Sequence, residues 1–334
     1  MTSNRRIVLA ERPVEMFTES SFRVVESPVP EPGDGEAVVQ VEYLSLDPTM
    51  RGWARDEPSY LPPVQLGEVM RGGAAGHVVA SNNAAYRVGA SVMGLLGWQE
   101  YAVVGGTTGM LANVLPDGID LVDALSLYGS TGVTAYFGVT DIGQAQAGET
   151  LVVSGAAGGV GSIAGQIGKI LGCRVVGIAG GKEKCRWVVD ELGFDDCIDY
   201  KAGNVGGALS EACPEGIDVY FDNVGGDILD AALEHMKDFG RIVACGMISG
   251  YCEAERPPGP RNIFRIVTKR LRMQGFIVID FLPRFPEAAL QLGVWAAEGK
   301  IHNRVHLVEG FLSAPTAINM LFTGENTGKL VVKV

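Results

Sequence analysis

The chain has 334 residues and a formal net charge of −12, with 47% hydrophobic and 20% charged residues. This length suggests two domains, which can bury enough apolar surface to fold without disulfides or metal ions as staples. The acidic balance excludes a nucleic-acid scaffold, and no apolar run reaches the about 18 residues that a membrane helix needs. The start of the chain has too short an apolar stretch for a secretory signal. We therefore expect a cytoplasmic protein with neither a nucleic-acid nor a membrane partner.

The first part of the chain has the pattern of a β-rich module. Clusters of proline and glycine, such as Pro32-Gly33 and Pro62-Pro63, separate short β-prone runs. These runs predict strands at residues 36–43, 76–80, 90–93 and 100–104. Similar strand-like segments return near the end of the sequence, at residues 305–308 and 329–334.

From about Leu121 onward, helix-like stretches alternate with apolar strands. Nearly continuous apolar strands separated by helices are typical of a parallel sheet covered on both faces. The strands are predicted at residues 150–154, 174–179, 218–222 and 240–244. A further run at 272–279 is predicted to be an apolar edge strand, which would pair with another chain because open edges invite pairing.

Six cysteines lie between Cys173 and Cys252, and none has C-x-x-C or Cys-His zinc-ligand spacing. We expect reduced, mostly buried thiols. His302 and His306 are four residues apart in a segment that reads as strand or loop. They are predicted to be surface residues, with a metal-binding pair as the alternative.

A glycine-rich turn between a predicted strand and a predicted helix is the clearest indication of a ligand-binding site. Its spacing, Ala156-x-Gly158-x-x-Gly161, is the dinucleotide fingerprint with alanine in place of the first glycine. Gly158 would let the backbone approach a pyrophosphate, and Gly161 would let helix and strand pack closely. The helix N-terminus would supply N–H groups for the phosphates. The alternative is a purely structural turn.

The end of the next predicted strand indicates which cofactor would bind. Ala179 is followed by glycines and lysines, not by the carboxylate that accepts from the ribose 2′-hydroxyl of NAD. Lys184, with Lys182 as a second candidate, could hold a 2′-phosphate, which favours NADPH. The alternative is that these lysines start a solvated helix. Asn223, in another strand-terminal turn, could contact the cofactor or belong to an ordinary turn.

Ordered motifs extend over nearly the whole chain, at residues 46–51, 67–72, 97–101, 134–138, 155–161, 221–226, 245–251, 274–278 and 325–329. Together they resemble the medium-chain dehydrogenase/reductase superfamily, in its zinc-free branch of prostaglandin, alkenal double-bond and curcumin reductases. The resemblance implies an α/β fold with a doubly wound parallel Rossmann sheet and a GroES-like, β-rich catalytic domain. The implied domains are residues 1–125 and 299–334 for the catalytic part and 126–298 for the Rossmann part.

The resemblance also implies the binding residues. The cofactor would be NADPH, and its expected contacts are Ala156, Gly158, Gly159, Val160, Gly161, Lys184, Tyr200, Asn223, Cys245, Gly246, Ile248, Ser249, Phe276, Ile277, Val278 and Asn326. Tyr251 matches the family tyrosine near the nicotinamide ribose and the substrate carbonyl. The family's homodimer would form through the predicted edge strand.

Three features separate this chain from other members of the superfamily. The zinc-dependent branch needs a cysteine ligand in its first domain, whereas no cysteine occurs here before Cys173. Thr49 stands where related chains often have a substrate-lining tyrosine, which would enlarge the pocket and remove a phenol. Thr131 stands where they often have proline.

These features predict NADPH-dependent reduction of the C=C bond of α,β-unsaturated aldehydes and ketones. Hydride would reach the β-carbon, and Tyr251 would donate to the carbonyl oxygen as charge develops there. A purely positional role for Tyr251 is the alternative. The competing functions are a quinone reductase of the same superfamily and a non-catalytic NADPH-binding protein.

Overall fold

The structure, a computed structural model, describes residues 3–106, 112–255 and 257–334, which form two units. The first unit contains the described residues up to Ser126, together with Val305–Asn326 and Leu330–Val334. The second contains Leu127–Arg304 and the short segment Thr327–Lys329. Each unit has a hydrophobic core built from its own residues.

The elements follow one another along the chain in a β-rich series, then an alternating series, then a short β-rich return. The strands are β1 (Ser3–Leu9), β2 (Phe22–Pro28), β3 (Glu36–Leu46), β4 (Ala74–Ser81), β5 (Ser91–Gly94), β6 (Tyr101–Gly105), β7 (Ala112–Val114), β8 (Thr150–Ser154), β9 (Arg174–Ala179), β10 (Asp196–Asp199), β11 (Ile217–Asp222), β12 (Met236–Ala244), β13 (Arg272–Gly275), β14 (Val305–Glu309) and β15 (Lys329–Lys333). The helices are α1 (Thr49–Trp53), α2 (Leu121–Leu125), α3 (Ser130–Phe137), α4 (Gly159–Ile170), α5 (Lys182–Asp190), α6 (Val205–Ala212), α7 (Gly226–His235), α8 (Arg265–Thr268), α9 (Phe285–Ala297), α10 (Ala314–Ala317) and α11 (Met320–Thr323).

The first unit is built on a sheet with strand order β14-β15-β3-β4-β5-β7, in which β6 also pairs with β3. Strand β3 pairs antiparallel with β15, β4 and β6, and β1 and β2 form a separate antiparallel ribbon. Alternate residues of β3, such as Val39 and Val41, are buried in one core with Trp98 and Leu330. The predicted β-rich module is confirmed, and its first predicted strand extends to Leu46.

Helix α1 of the first unit is fixed by a buried arginine. Arg51 donates from Nε to the carbonyl of Glu15 at 2.6 Å, and from Nη2 to the carbonyls of Pro13 and Val14 at 2.9 and 2.8 Å. These bonds let a charged side chain sit in the core. They also fix the start of α1, which is Thr49.

The second unit contains a six-stranded sheet with order β10-β9-β8-β11-β12-β13, and all its neighbouring strands are parallel. Numbered within this sheet, the order is 3-2-1-4-5-6, the doubly wound arrangement that the family resemblance implied. Strands β8 and β9 match their predicted bounds residue for residue. Successive side chains of β8 explain this agreement: Leu151 and Val153 belong to one core and Val152 to another.

One predicted strand is too long. The run at 272–279 forms strand only as β13, Arg272–Gly275, and a 3₁₀ helix, Val278–Arg284, follows. The reason is local: the Asp280 carboxylate accepts from the N–H of Ile277 at 3.2 Å, and the Asp280 N–H donates to the Ile277 carbonyl at 2.9 Å. These bonds close a turn that ends extended pairing. The edge position itself is confirmed, because β13 is last in the sheet order.

Within the described residues, no helix is both long and apolar enough to cross a membrane.

Candidate cofactor site

The predicted glycine-rich turn connects β8 to α4 in the second unit. Gly155 has a φ of +62°, which favours glycine, and its carbonyl accepts from the N–H of Gly158 at 2.9 Å. Helix α4 begins at Gly159, with Gly158 in extended conformation as the N-cap. Because Gly158 has no side chain, the N–H groups of the first turn are left for a ligand.

The glycines of this turn have different steric roles. A Cβ at Gly161 would lie 2.3 Å from the Gly155 carbonyl oxygen, so the close contact of helix and turn requires glycine. A Cβ at Gly158 would meet only that same oxygen, at 3.2 Å, so its other sides are open. Ala156 is fully buried in the core, and a Cβ at Gly159 would lie 3.0 Å from Thr131 Cγ2. The turn therefore has an open backbone surface on a rigid base, which suits a pyrophosphate.

The turn is also held by a segment from near the end of the chain. Gly328 donates its N–H to the carbonyl of Ala157 at 2.8 Å, and it forms an isolated bridge with Gly158. The neighbouring Lys329 donates its N–H to the carbonyl of Arg304 at 2.9 Å. The short segment Thr327–Lys329 therefore supports the glycine turn from within the second unit.

The carboxyl ends of β9 and β10 lie side by side, and the predicted ribose-phosphate residues follow these two strand ends. The ring of Tyr200, 39% exposed, covers Gly180, and Lys184 is on the first turn of α5. Burial, and secondarily the charge of Lys201, lowers the pKa of Lys184. An anion placed here would relieve this cost of keeping Lys184 charged, so the site is suited to a phosphate.

The carboxylate of Asp199, which sequence reasoning missed, connects the segments that follow β9 and β10. Asp199 Oδ1 accepts from the N–H of Gly181 at 2.7 Å and from the N–H of Lys201 at 3.0 Å. Asp199 ends β10, which lies beside β9, whereas the fingerprint reasoning considered only the end of β9. Its role in the structure is to hold the loops that carry Tyr200 and the start of α5.

The carboxyl ends of β8 and β11 are joined through a buried serine. Ser154 Oγ donates to Asp222 Oδ1 at 3.0 Å and accepts from the N–H of Asn223 at 2.9 Å, while Asn223 Nδ2 donates to the Ser154 carbonyl at 2.7 Å. The predicted cofactor residue Asn223 is therefore rigidly held at the strand ends. Ser154 and Asp222 were missed by sequence reasoning, although polar residues at the ends of apolar strands were a usable signal.

Asp222 is the centre of this network. Its Oδ1 also accepts from the Tyr220 hydroxyl at 3.0 Å and from the N–H groups of Val224 and Gly225 at 3.1 and 3.0 Å. Burial nevertheless raises the pKa of Asp222, and the bonds from Gly225, Val224 and Ser154 oppose that rise. The carboxyl group thus fixes the turn that begins α7.

The segment from Cys245 to Tyr251 follows β12 and packs on the Asn223 turn. The N–H groups of Cys245 and Gly246 donate to the Asp222 carbonyl at 2.9 and 3.0 Å. The N–H groups of Ile248 and Ser249 donate to the carbonyls of Asn223 and Val224 at 3.2 and 3.1 Å. The structure therefore brings these predicted residues to the same edge of the sheet as Asn223.

Tyr251 folds back over this segment. Its hydroxyl oxygen accepts from the N–H of Met247 at 3.2 Å, and a Cβ at Gly246 would lie 3.4 Å from it. Cys245 is half-buried near Asp222, and desolvation raises the pKa of its thiol to about 12. A thiol with a raised pKa carries little thiolate at neutral pH, which disfavours a nucleophilic role.

The remaining predicted residues belong to other segments of the chain. Phe276 and Ile277 follow β13, and Val278 begins the 3₁₀ helix; the Phe276 ring centroid is 6.2 Å from that of Phe281. Thr49 begins α1, and Asn326 is buried; both belong to the first unit. Among the residues that the structure describes, no group of three or more His, Cys, Asp or Glu side chains could hold a metal ion.

Comparison with known families agrees with this architecture. Residues 5–112 match a family profile described as the N-terminal domain of oxidoreductase, and residues 159–295 match one described as zinc-binding dehydrogenase. The chain is 45% identical to the NADPH-dependent curcumin reductase of Escherichia coli (strain K12), over 99% of this chain and 97% of that one. The chain belongs to the medium-chain dehydrogenase/reductase family.

Two further relatives place this medium-chain reductase in the predicted branch. It is 42% identical to prostaglandin reductase 1 of Bos taurus, over 95% of this chain and 94% of that one. It is 38% identical to the NADP(+)-dependent 2-alkenal reductase of Nicotiana tabacum, over 99% and 98% of the two chains. The crystal structure of CurA from Vibrio vulnificus in complex with NADPH is similar at 46% identity with a TM-score of 0.93, covering 99% of both chains.

Proposed function

We propose that this medium-chain reductase uses NADPH to reduce the C=C bond of α,β-unsaturated aldehydes and ketones. The observation that carries the proposal is the corner formed by Gly180, Lys184 and Tyr200, which suits a ribose carrying a 2′-phosphate. Three relatives support the proposal: an NADPH-dependent curcumin reductase, a prostaglandin reductase and an NADP(+)-dependent 2-alkenal reductase.

The chain's own residues would bind the cofactor along the edge of the parallel sheet. The Gly158 backbone and the first turn of α4 would take the pyrophosphate, and Lys184 and Tyr200 the ribose phosphate. Asn223 and the segment from Cys245 to Ser249, with residues 276–278, would contact the nicotinamide half. Asn326 of the first unit is a further proposed contact.

When bound, NADPH supplies a hydride to the β-carbon of the substrate. Negative charge would then develop on the substrate's carbonyl oxygen, which needs a hydrogen-bond donor, and a proton from solvent would complete the reduction at the α-carbon. Tyr251 is the proposed donor, because a hydroxyl that accepts from the Met247 N–H can donate through its own proton. Thr49 is proposed to line the substrate pocket.

The test is the loss of NADPH absorbance with a panel of enals and enones, with NADH as the control cofactor. We expect turnover of the enones with NADPH and little with NADH. Faster turnover of quinones than of any enone would favour the quinone reductase instead. NADPH binding without turnover on any member of the panel would indicate a non-catalytic protein.

We also propose a homodimer that forms through β13. All four residues of this edge strand are exposed, and Ile279, Leu282 and Leu290 nearby expose apolar side chains. An open edge beside apolar surface favours pairing with a second chain. Light scattering should give twice the monomer mass, whereas a monomer would contradict this arrangement.

The cytoplasm is the proposed location, because all six cysteines are free thiols, as expected in a reducing compartment. Fractionation of cells that express the protein would test this, and recovery outside the cytoplasm would contradict it.

A further inference from the structure

Three polar side chains of the first unit form a hydrogen-bonded row across neighbouring strands, and none of them is assigned to the proposed cofactor site. They are Glu42 on β3, His77 on β4 and Ser91 on β5, and these strands are consecutive in the sheet. His77 Nδ1 is hydrogen-bonded to Glu42 Oε1 at 2.5 Å, and His77 Nε2 to Ser91 Oγ at 3.2 Å. The imidazole ring therefore connects a carboxylate on one side to a hydroxyl on the other.

The pairing of the strands explains why the three side chains meet. His77 and Ser91 are direct partners in the antiparallel pairing of β4 with β5. On the other side of β4, the register shifts between Val41 and Tyr43, so that Glu42 is the extra residue of a bulge in β3. A bulge re-aims a side chain relative to its neighbours, and here the Glu42 carboxylate reaches the imidazole of the next strand.

The carboxylate decides which ring nitrogen carries the proton. An ionised carboxylate can only accept a hydrogen bond, so His77 Nδ1 donates to Glu42. The lone pair of the neutral ring is then at Nε2, which accepts from the Ser91 hydroxyl. A hydroxyl bonded to a base that a third group orients is the arrangement of an activated nucleophile, which recurs on unrelated folds.

The row is accessible and has apolar neighbours. The side chains of His77 and Glu42 are 42% and 41% exposed. Two positions along β4 and β5 from the pair His77 and Ser91, and therefore on the same face of the sheet, are Ala75 and Met93. Both belong to an apolar cluster that α2 completes. This surrounding suits an ester with an apolar leaving group, which can pack beside the hydroxyl.

We propose that Glu42, His77 and Ser91 form a nucleophilic site that hydrolyses activated carboxylic esters, an activity separate from the proposed enone reduction. Ser91 Oγ forms a bond to the acyl carbon and gives its proton to His77 Nε2. The bond between the acyl carbon and the leaving oxygen breaks, and the leaving phenol or alcohol takes that proton. Water, deprotonated in turn by His77, then releases the carboxylic acid and restores the Ser91 hydroxyl.

The roles of the three residues differ. Ser91 and His77 contact the reacting atoms, whereas Glu42 is a positioning residue that holds the ring and stabilises its charged form. Aryl esters are the expected substrate class, because a phenolate is a good leaving group and needs little stabilisation from the protein.

Fluorophosphonate labelling tests whether Ser91 is a nucleophile. The full-length protein, treated with a biotinylated fluorophosphonate and digested, should carry the label on the peptide that contains Ser91. His77→Gln removes the base and should slow this labelling by about 100-fold or more. Ser20→Ala is the matched control and should change nothing, because Ser20 is an exposed serine whose hydroxyl is bonded to Thr18 Oγ1 and not to a base.

Hydrolysis of p-nitrophenyl acetate tests the complete cycle. Ser91→Ala and His77→Gln should each lower kcat/KM by about 100-fold, and the double variant should be no worse than either, because the two residues act as a unit. The melting temperature and the Kd for NADPH should stay unchanged in all three variants, which shows that they are folded.

Glu42→Gln tests the positioning role. The amide can donate to His77 Nδ1, which would move the ring proton to Nε2 and take away the acceptor of the Ser91 hydroxyl. The nitrogen chemical shifts of the His77 ring should report this change of tautomer, and the labelling of Ser91 should slow by about 10-fold or more. A role in stability alone would change neither the tautomer nor the labelling at an unchanged melting temperature.

Two results would overturn the inference. Label on other residues with none on Ser91 would show that this hydroxyl is not activated. Equal labelling and equal ester hydrolysis in His77→Gln and the unmodified protein would show that the imidazole is not the base, and that the three side chains only satisfy one another on the sheet. Neither result depends on the proposed reductase activity, because both assays are run without NADPH.

Discussion

The phenol ring of Tyr200 lies directly over the backbone of Gly180. A Cβ on Gly180 would stand 2.8 Å from ring carbon Cε1 and 2.9 Å from the hydroxyl oxygen. Gly180 follows β9 and Tyr200 follows β10, so this contact joins the two strand ends at which the ribose phosphate is proposed to bind.

Gly180→Ala should displace the Tyr200 ring without unfolding the protein, because the ring is partly exposed and can rotate away. We expect KM for NADPH to rise by about 5- to 20-fold, while the melting temperature stays within a few degrees. Gly206→Ala is the matched control: its Cβ would meet only His235 Nε2, at 3.9 Å. An unchanged KM in Gly180→Ala would show that Tyr200 does not contact the cofactor.

Lys184→Ala should change the cofactor preference. Loss of a charge-assisted bond to a phosphate costs about 1.5–3 kcal/mol, so KM for NADPH should rise by about 10- to 100-fold. KM for NADH should change little, since that cofactor has no 2′-phosphate. The exposed Lys182, replaced by alanine, is the comparison variant and should have a smaller effect. Equal losses with both cofactors would contradict the assignment.

Lys184 also predicts a pH dependence of cofactor binding. Its pKa is lowered by burial and by Lys201, so the free protein loses this proton at lower pH than an exposed lysine does. The affinity for NADPH should therefore fall as the pH rises through the lowered pKa, whereas the affinity for NADH should not. Lys184→Arg, which stays charged, should flatten the profile in a fluorescence titration.

Asp222→Asn should change how stability depends on pH. Burial raises the pKa of Asp222 above its unfolded value of 3.8, so the folded state binds this proton more tightly than the unfolded state does. This group therefore lowers the free energy of unfolding as the pH rises from 3.8 through the raised pKa. Asparagine keeps an oxygen acceptor for the donors on Oδ1, so the variant should fold and lack this decrease.

Urea unfolding of both proteins across the acidic range would measure the effect. The difference between the two proteins isolates Asp222, because carboxylates with lowered pKa values, such as Asp195 and Glu234, contribute equally to both. Parallel curves for the two proteins would contradict the prediction, because they would mean that the pKa of Asp222 is the same in the folded and the unfolded state.

Tyr251→Phe should lower kcat for enones by about 10- to 100-fold and change the Kd for NADPH by less than about twofold. The phenylalanine ring keeps the shape of the side chain, so the loss reports the hydroxyl donor. Stopped-flow turnover and a separate binding titration distinguish the two effects. An unchanged kcat would remove Tyr251 from the reaction, and a selective loss of NADPH affinity would assign it to the ribose.

The parallel sheet could be predicted from the sequence because each of its strands has a recognisable pattern of apolar residues. Strand β8 is apolar at successive positions because it is buried on both faces, and its bounds followed directly. Strand β13 was overextended because one side chain, Asp280, captures a backbone N–H, which an apolar run does not reveal.

The parts that were missed depend on segments that only folding brings together. The bonds of Ser154 with Asp222 and Asn223 join strand ends 68 and 69 residues apart. Thr49 was considered alone, and Tyr60, whose hydroxyl is hydrogen-bonded to Thr49 Oγ1, lies in an irregular loop without a periodic pattern. Local patterns therefore predicted the scaffold, while the side-chain contacts at its edges required the structure.

The three residues Thr327–Lys329 have a practical consequence for dissecting this enzyme. A fragment cut as Leu127–Arg304 would contain the whole six-stranded sheet, yet the carbonyls of Ala157 and Arg304 would lose their donors from Gly328 and Lys329. The excised piece should need the missing tripeptide grafted to its carboxyl end before its nucleotide loop is ordered. A single cut cannot yield two intact halves.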